Sequence, residues 1–232
     1  ADFEELVADL QTQRDAGRPI DFFILDSHSD GVDQIAETLQ RYSDLDAVHI
    51  VSHGESGAVK LGGTWLRIGS LDGYAGAIAG WGNAFSSDGD LLFYGCDLAS
   101  NTRGEMLVHS VAALTGADVA ASTDDTGHAT FGGDWELEYE TGRIESDVVF
   151  TAQTQQEWVG KLAVINVTTT DDVVDSGDGL TSLREAIIQS NMGSGGDTIS
   201  LSAGTYTLAI GGTGENDSDT GDLDIKQDVT IV

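Results

Sequence analysis

Basic residues are scarce in this chain. Lysine and arginine number 10 against 40 aspartates and glutamates, a formal net charge of −30 over 232 residues. Self-repulsion on that scale favours solubility and works against nucleic acid or an anionic membrane as partner. It suits a secreted protein in salty or calcium-containing surroundings, where cations screen the carboxylates. A merely solvated acidic surface accounts for it equally well. Cysteine occurs once, which rules out a disulfide within the chain and any argument for secretion from cystine. No apolar run is long enough to span a bilayer. No signal peptide is visible, and both ends read as cut: the chain opens on Ala1-Asp2-Phe3 and closes on the strand pattern Asp228-Val229-Thr230-Ile231-Val232. The expectation is a piece of a longer protein.

What is present is enough for a core, since 40% of the residues are hydrophobic. Phe3, Leu6, Val7 and Leu10 recur at helical spacing. Ile20 to Leu25 reads as a strand, Val32, Ile35, Ala36 and Leu39 as a helix, and Asp44 to Ser52 as the next strand. Gly57 to Ile68 predicts a hairpin turning at Gly62-Gly63, Ser70 to Phe85 a helix, Leu91 to Tyr94 a strand, Gly104 to Leu114 a helix and Ala117 to Ser122 a strand. Trp135 to Tyr139 alternates as an edge strand or hairpin arm would. Strand and helix in turn argue an α/β domain over residues 1–161, a mostly parallel sheet flanked by helices. From residue 162 to 232 short β-rich runs, among them Thr198 to Leu201, Gly204 to Leu208 and Leu223 to Ile225, are separated by Asp, Gly, Ser and Thr, with one helical turn at Thr181 to Ile188. That spacing suits the first coils of a parallel β-helix.

Two apolar runs end in reactive side chains. Ala47 to Ser52 runs into His53-Gly54, and Leu91 to Tyr94 into Gly95-Cys96-Asp97. Ligands of open α/β sheets gather at the carboxyl ends of the strands. One strand–hairpin–helix unit separates the two runs, the length needed to return to an adjacent parallel strand. A thiol attacks carbonyls as thiolate and needs a neighbour to take its proton; His53 suits that task and the later protonation of a leaving amine. A lone cysteine at the end of an apolar run is also, by itself, an ordinary small core residue.

These residues resemble a family. Ser52-His53-Gly54 and Tyr94-Gly95-Cys96-Asp97, each after a hydrophobic block, are similar to the motifs of caspase-like cysteine peptidases, the group of caspases, clostripain, gingipains and legumains. The closer resemblance is to a domain of unknown function, DUF4347, found near the amino end of very large bacterial surface and adhesin-like proteins. It rests on Ser52 to Gly57, Leu92 to Cys96, Gly116 to Ser122 and Gly132 to Glu138, in that order, and spans roughly residues 1 to 160. Such domains open with one more strand, which this chain lacks. The resemblance implies a caspase-like fold, a catalytic His53/Cys96 dyad and an oxyanion held by the backbone N–H groups of Gly54 and Cys96. Caspases carry Gln-Ala-Cys, so their preference for aspartate does not transfer.

Asp124 and Asp125, past a strand end, read either as a pocket for a basic P1 side chain or as turn residues before Gly127. Asp97 lines the same pocket or binds a cation. His28 with Asp26 and Asp30 reads as a polar loop or half a metal site; His49, His109 and His128 show no zinc spacing. Asp178 to Ile187 with Gly221 to Ile225 resembles the start of CSLREA-type β-helix repeats. Asp171, Asp172, Asp175 and Asp178 are candidate calcium ligands, although none fits an EF-hand loop. The expected function is a secreted or cell-surface cysteine endopeptidase acting on a protein or peptide, its own chain included. It needs no cofactor for the chemistry, favours a basic P1 and cuts after Lys161. The alternative is a catalytically silent caspase-like module of an adhesin, serving attachment.

Overall fold

The computed structural model describes residues 3–158, 160, 162, 164–175, 180–192, 197–214, 216–226 and 229–232. The chain divides into two compact units, Leu6–Ala163 and a second made of Val164–Val232 with Ala1–Glu5.

The first unit runs α1 (Glu4–Asp15), α2 (Gly31–Leu39), β1 (Leu45–Val51), β2 (Gly54–Glu55), β3 (Ala58–Leu61), β4 (Thr64–Arg67), α3 (Leu71–Trp81), β5 (Phe85–Tyr94), α4 (Thr102–Thr115), β6 (Asp118–Ala121), β7 (Tyr139–Glu140) and α5 (Ala152–Glu157). Its main sheet has the order β1-β5-β6-β7. The first three strands are parallel and β7 is antiparallel to β6. A helix therefore carries the chain between parallel neighbours: α3 between β1 and β5, and α4 between β5 and β6. β2, β3 and β4 form a small antiparallel sheet hinged on the Gly62-Gly63 turn.

Alternation along β5 assigns the two faces of the sheet. Leu91 and Phe93 join Val32, Ile78, Trp81 and Leu107 under α2, α3 and α4. Leu92 and Tyr94 join Leu6, Trp135, Phe150 and Trp158 on the other side. A strand covered on both faces is a near-continuous apolar run, which is why β5 stood out in the sequence. Caps stop the helices where side chains allow. Asp30 Oδ1 accepts from the amides of Val32 (2.9 Å) and Asp33 (3.4 Å) at the start of α2, and Asn101 does the same for α4.

Three expectations differ, and a short helix, α5, answers to no expectation. Ile20 to Leu25 forms no strand, because it lies outside the ladder with Phe23 51% and Ile24 63% exposed. Trp135 to Tyr139 contributes only Tyr139–Glu140 to a sheet, and the Trp135 ring turns into the core. α5 is polar on every side, with no buried residue to give it an apolar stripe. β5 begins at Phe85, ahead of its apolar stretch.

In the second unit, β8 (Val164–Val167), α6 (Leu183–Met192), β9 (Asp197–Leu201) and β10 (Val229–Ile231) form a parallel sheet of order β10-β9-β8 with one helix against it. Gly204 to Leu208 and Leu223 to Ile225, expected as strands, are irregular. Arg184 is fully buried here: its Nε and Nη2 donate to Asp172 Oδ1 (2.6 Å) and Oδ2 (3.0 Å), and its remaining donors meet the carbonyls of Ser218, Gly221 and Asp222. Among the described residues, no helix is long and apolar enough to cross a membrane.

Candidate active site

The parallel register of β1 and β5 runs to Val51↔Tyr94, and the Ser52 amide continues it by donating to the Tyr94 carbonyl at 3.0 Å. His53 and Cys96 each follow two residues later, so they leave the sheet on matching rungs. Gly54 then passes so close to the next strand that an added Cβ would collide with the Gly95-Cys96 peptide; only glycine fits. The turn after the cysteine is tight. Asp97 adopts φ 59°, in the left-handed region, and its amide donates to the Asp124 carbonyl at 2.7 Å.

The approach of β1 to β5 brings two amides together. The N–H groups of Gly54 (2.9 Å) and Cys96 (3.3 Å) both donate to one acceptor, the carbonyl oxygen of Leu162. Leu162 and Gly160 both bond to the stretch after β6. Leu162 N–H donates to Thr126 O (3.0 Å), and His128 N–H donates to Gly160 O (2.9 Å). The Leu162 side chain is 6% exposed and belongs to the cluster of Tyr94, Cys96, Trp135 and Trp158. Cys96 itself is 0% exposed. The Thr126 amide donates to its Sγ at 3.1 Å, and the thiol faces the Thr126 carbonyl at 3.4 Å.

His53 is half-buried, and its carbonyl accepts from the Lys60 amide. Asp124 is exposed and faces Asp134 and Glu138, one carboxylate oxygen of each lying within 4.8 Å of the others. Partial desolvation first, then Glu138, Asp134 and Asp125, raise its carboxyl above the usual range. The Asp125 carbonyl accepts from the Asp134 amide. Thus the two aspartates expected to bind a basic side chain sit in an acidic turn, whereas the residue held by the amide pair is a leucine. His49 stacks on Tyr94 at 5.8 Å; burial pushes its pKa down to about 4, helped by Arg18 and opposed by Asp90. His128 Nδ1 accepts from the Thr130 amide while its Nε2 meets the Gln156 carbonyl. Asp30 accepts from Tyr74 as well as capping α2, and Asp26 accepts from the His28 amide, which makes this loop self-satisfied.

Of the calcium candidates, both Asp172 oxygens are engaged. Besides Arg184, the amides of Ala209 and Ile210 donate to Oδ2, and the carboxyl is held down to about 2, chiefly by Arg184. Among the described residues, no group of metal-ligating atoms includes Asp171, Asp172 or Asp175. Lys161 and Asp178 lie outside the described residues. The sequence reading missed Leu162 and Thr126, which act through backbone atoms and so carry no side-chain signature.

No curated protein and no solved structure matches the chain. A family model does: that of the domain of unknown function DUF4347 covers residues 1–162, ending on the residue whose carbonyl the two amides hold, and the chain belongs to that family.

Proposed function

We propose that this chain is a caspase-like cysteine endopeptidase that cuts itself, between Leu162 and Ala163. One observation supports the reading above the rest: the Leu162 carbonyl accepts from both amides that an oxyanion hole would use, Gly54 N–H and Cys96 N–H. Cys96 Sγ leaves Thr126 and attacks the Leu162 carbonyl carbon, and its proton passes to His53. The two amides hold the oxyanion. His53 returns the proton to the Ala163 nitrogen as the C–N bond breaks, leaving a thioester at Leu162. Water, deprotonated by His53, then hydrolyses the thioester and restores the thiol. Loss of one oxyanion donor costs about 10²–10³ in rate in comparable sites. The apolar surroundings of Leu162 favour an aliphatic P1 over the basic one that the acidic turn suggested. The parallel pairing of β8, β9 and β10 supports reading residues 164–232 as the opening coils of a β-helix in a secreted surface protein.

A second reading has its own support. Cys96 is sealed and hydrogen-bonded to Thr126, as a structural thiol in a silent adhesin module would be. Intact-mass analysis of the incubated wild type, Cys96→Ala and His53→Ala separates them. The peptidase reading expects a fragment ending at Leu162 from the wild type alone. Identical fragments from all three, or none from any, would leave only the silent module.

A further inference from the structure

A second group of carboxylates lies away from the thiol, earlier along β5. The parallel register sets Asp90 beside Ala47 on one neighbour and Asp118 on the other, so Asp90 and Asp118 project from the same face of the sheet. Asp90 is 0% exposed. Its Oδ2 accepts from the amides of Glu145 (3.0 Å) and Ser146 (2.9 Å), which fastens the segment after β7 to the sheet. Its Oδ1 is buried and has no hydrogen-bond partner among the described residues. Leaving a buried carboxylate oxygen unsatisfied is costly, and a second carboxylate beside it adds repulsion. One carboxylate oxygen each from Asp90, Asp118 and Glu145 lies within 4.8 Å of the others.

We propose that Asp90, Asp118 and Glu145 form a calcium site that clamps the segment after β7 to the central sheet. Three carboxylates are a hard, oxygen-only donor set, with Asp90 Oδ1 as the oxygen left over for the ion. Oxygens about 2.4 Å from calcium stand at most about 5 Å apart, whereas the shorter bonds of magnesium demand a tighter cage. Asp118 and Glu145, less buried than Asp90, leave room for water to complete the shell. Gly142 has a part in this: an added Cβ there would fall on the Asp118 carboxylate, so glycine lets that carboxylate lie against the backbone. The cation already present, Arg143, reaches Glu145 at 3.3 Å with its side chain 86% exposed, a pair too solvated to neutralise the group. The site is independent of the peptidase reading.

Thermal unfolding of the whole chain in EDTA and in calcium tests the proposal, alongside Asp118→Asn, Glu145→Gln and Gly142→Ala. The glycine variant displaces a carboxylate without changing any charge. Asp90→Asn keeps an acceptor for the Glu145 and Ser146 amides. Calcium at about 100 times its Kd should raise the wild-type Tm by roughly 5–11 °C, and the apparent affinity should fall at least about tenfold in each variant. An unmoved wild-type Tm, an equal response in all variants, or an equal response to magnesium at the same concentration would overturn it.

Discussion

Gly54 follows the end of β1 and Cys96 the end of β5, yet their backbone amides point at one oxygen, 2.9 and 3.3 Å away. That convergence follows from a parallel register in which each residue leaves the sheet just beyond a paired rung, Val51↔Tyr94.

In the proposed self-cleavage Leu162 is the residue that matters, because its carbonyl is the one the two amides hold. Leu162→Asp places a carboxylate among Tyr94, Trp135 and Trp158 and should slow self-processing by on the order of 100-fold or more. Lys161→Ala should leave the rate and the fragment mass boundary unchanged. Mass spectrometry of timed samples distinguishes the two, and a reversed order would restore the basic-P1 expectation.

Gly54→Ala should damage both fold and site. The new methyl meets backbone atoms of Gly95 and Cys96 rather than a yielding side chain, so urea unfolding should show a loss of about 1–3 kcal/mol. No fragment should form under conditions where the variant is still folded.

His49 makes stability depend on pH. Its folded pKa of about 4 lies below the unfolded 6.5, so the unfolded chain takes up the proton first. Stability is therefore full above the unfolded value and declines as pH falls toward the folded one. Between about pH 7 and about pH 5 the loss from this group should be about 1–2 kcal/mol. Denaturant melts of wild type and His49→Phe should diverge over that interval, with the variant the flatter.

Arg184→Met should unfold residues 164–232 preferentially. It strands the Asp172 carboxylate, whose pair it removes, and leaves the carbonyls of Ser218 and Gly221 without their donor. Breaking one side of a buried ion pair costs about 3–5 kcal/mol. The pair also fails in acid: Asp172 is held down to about 2 from 3.8, so its contribution is present above the unfolded value and disappears as pH falls through the folded one. Limited proteolysis at neutral and acidic pH reads both effects.

Much of the first unit was legible because burial on both faces writes long apolar runs, as in Leu91 to Tyr94, and because the helices over them carry stripes such as Leu71, Ile78 and Trp81. The strand ends marked His53 and Cys96 for the same reason. What stayed hidden depends on partners rather than periodicity. Ile20 to Leu25 has a strand's composition but no neighbouring strand to pair with. α5 has helix-forming residues but no buried face. Leu162 works through a carbonyl that every residue possesses. Asp90, a charge just ahead of the apolar stretch Leu91 to Tyr94, was an overlooked side-chain signal.

Leu162, the cover whose carbonyl sits on the two amides, is also part of the interior, in one cluster with Trp135 and Trp158. To vacate its place, Leu162 must bring a core side chain into water. Its occupancy is thus set by folding itself and is indifferent to dilution: the ratio is one cover per molecule, permanently tethered. A rate measured at this centre should be first order in protein, and a competing peptide must outbid a neighbour that never diffuses away.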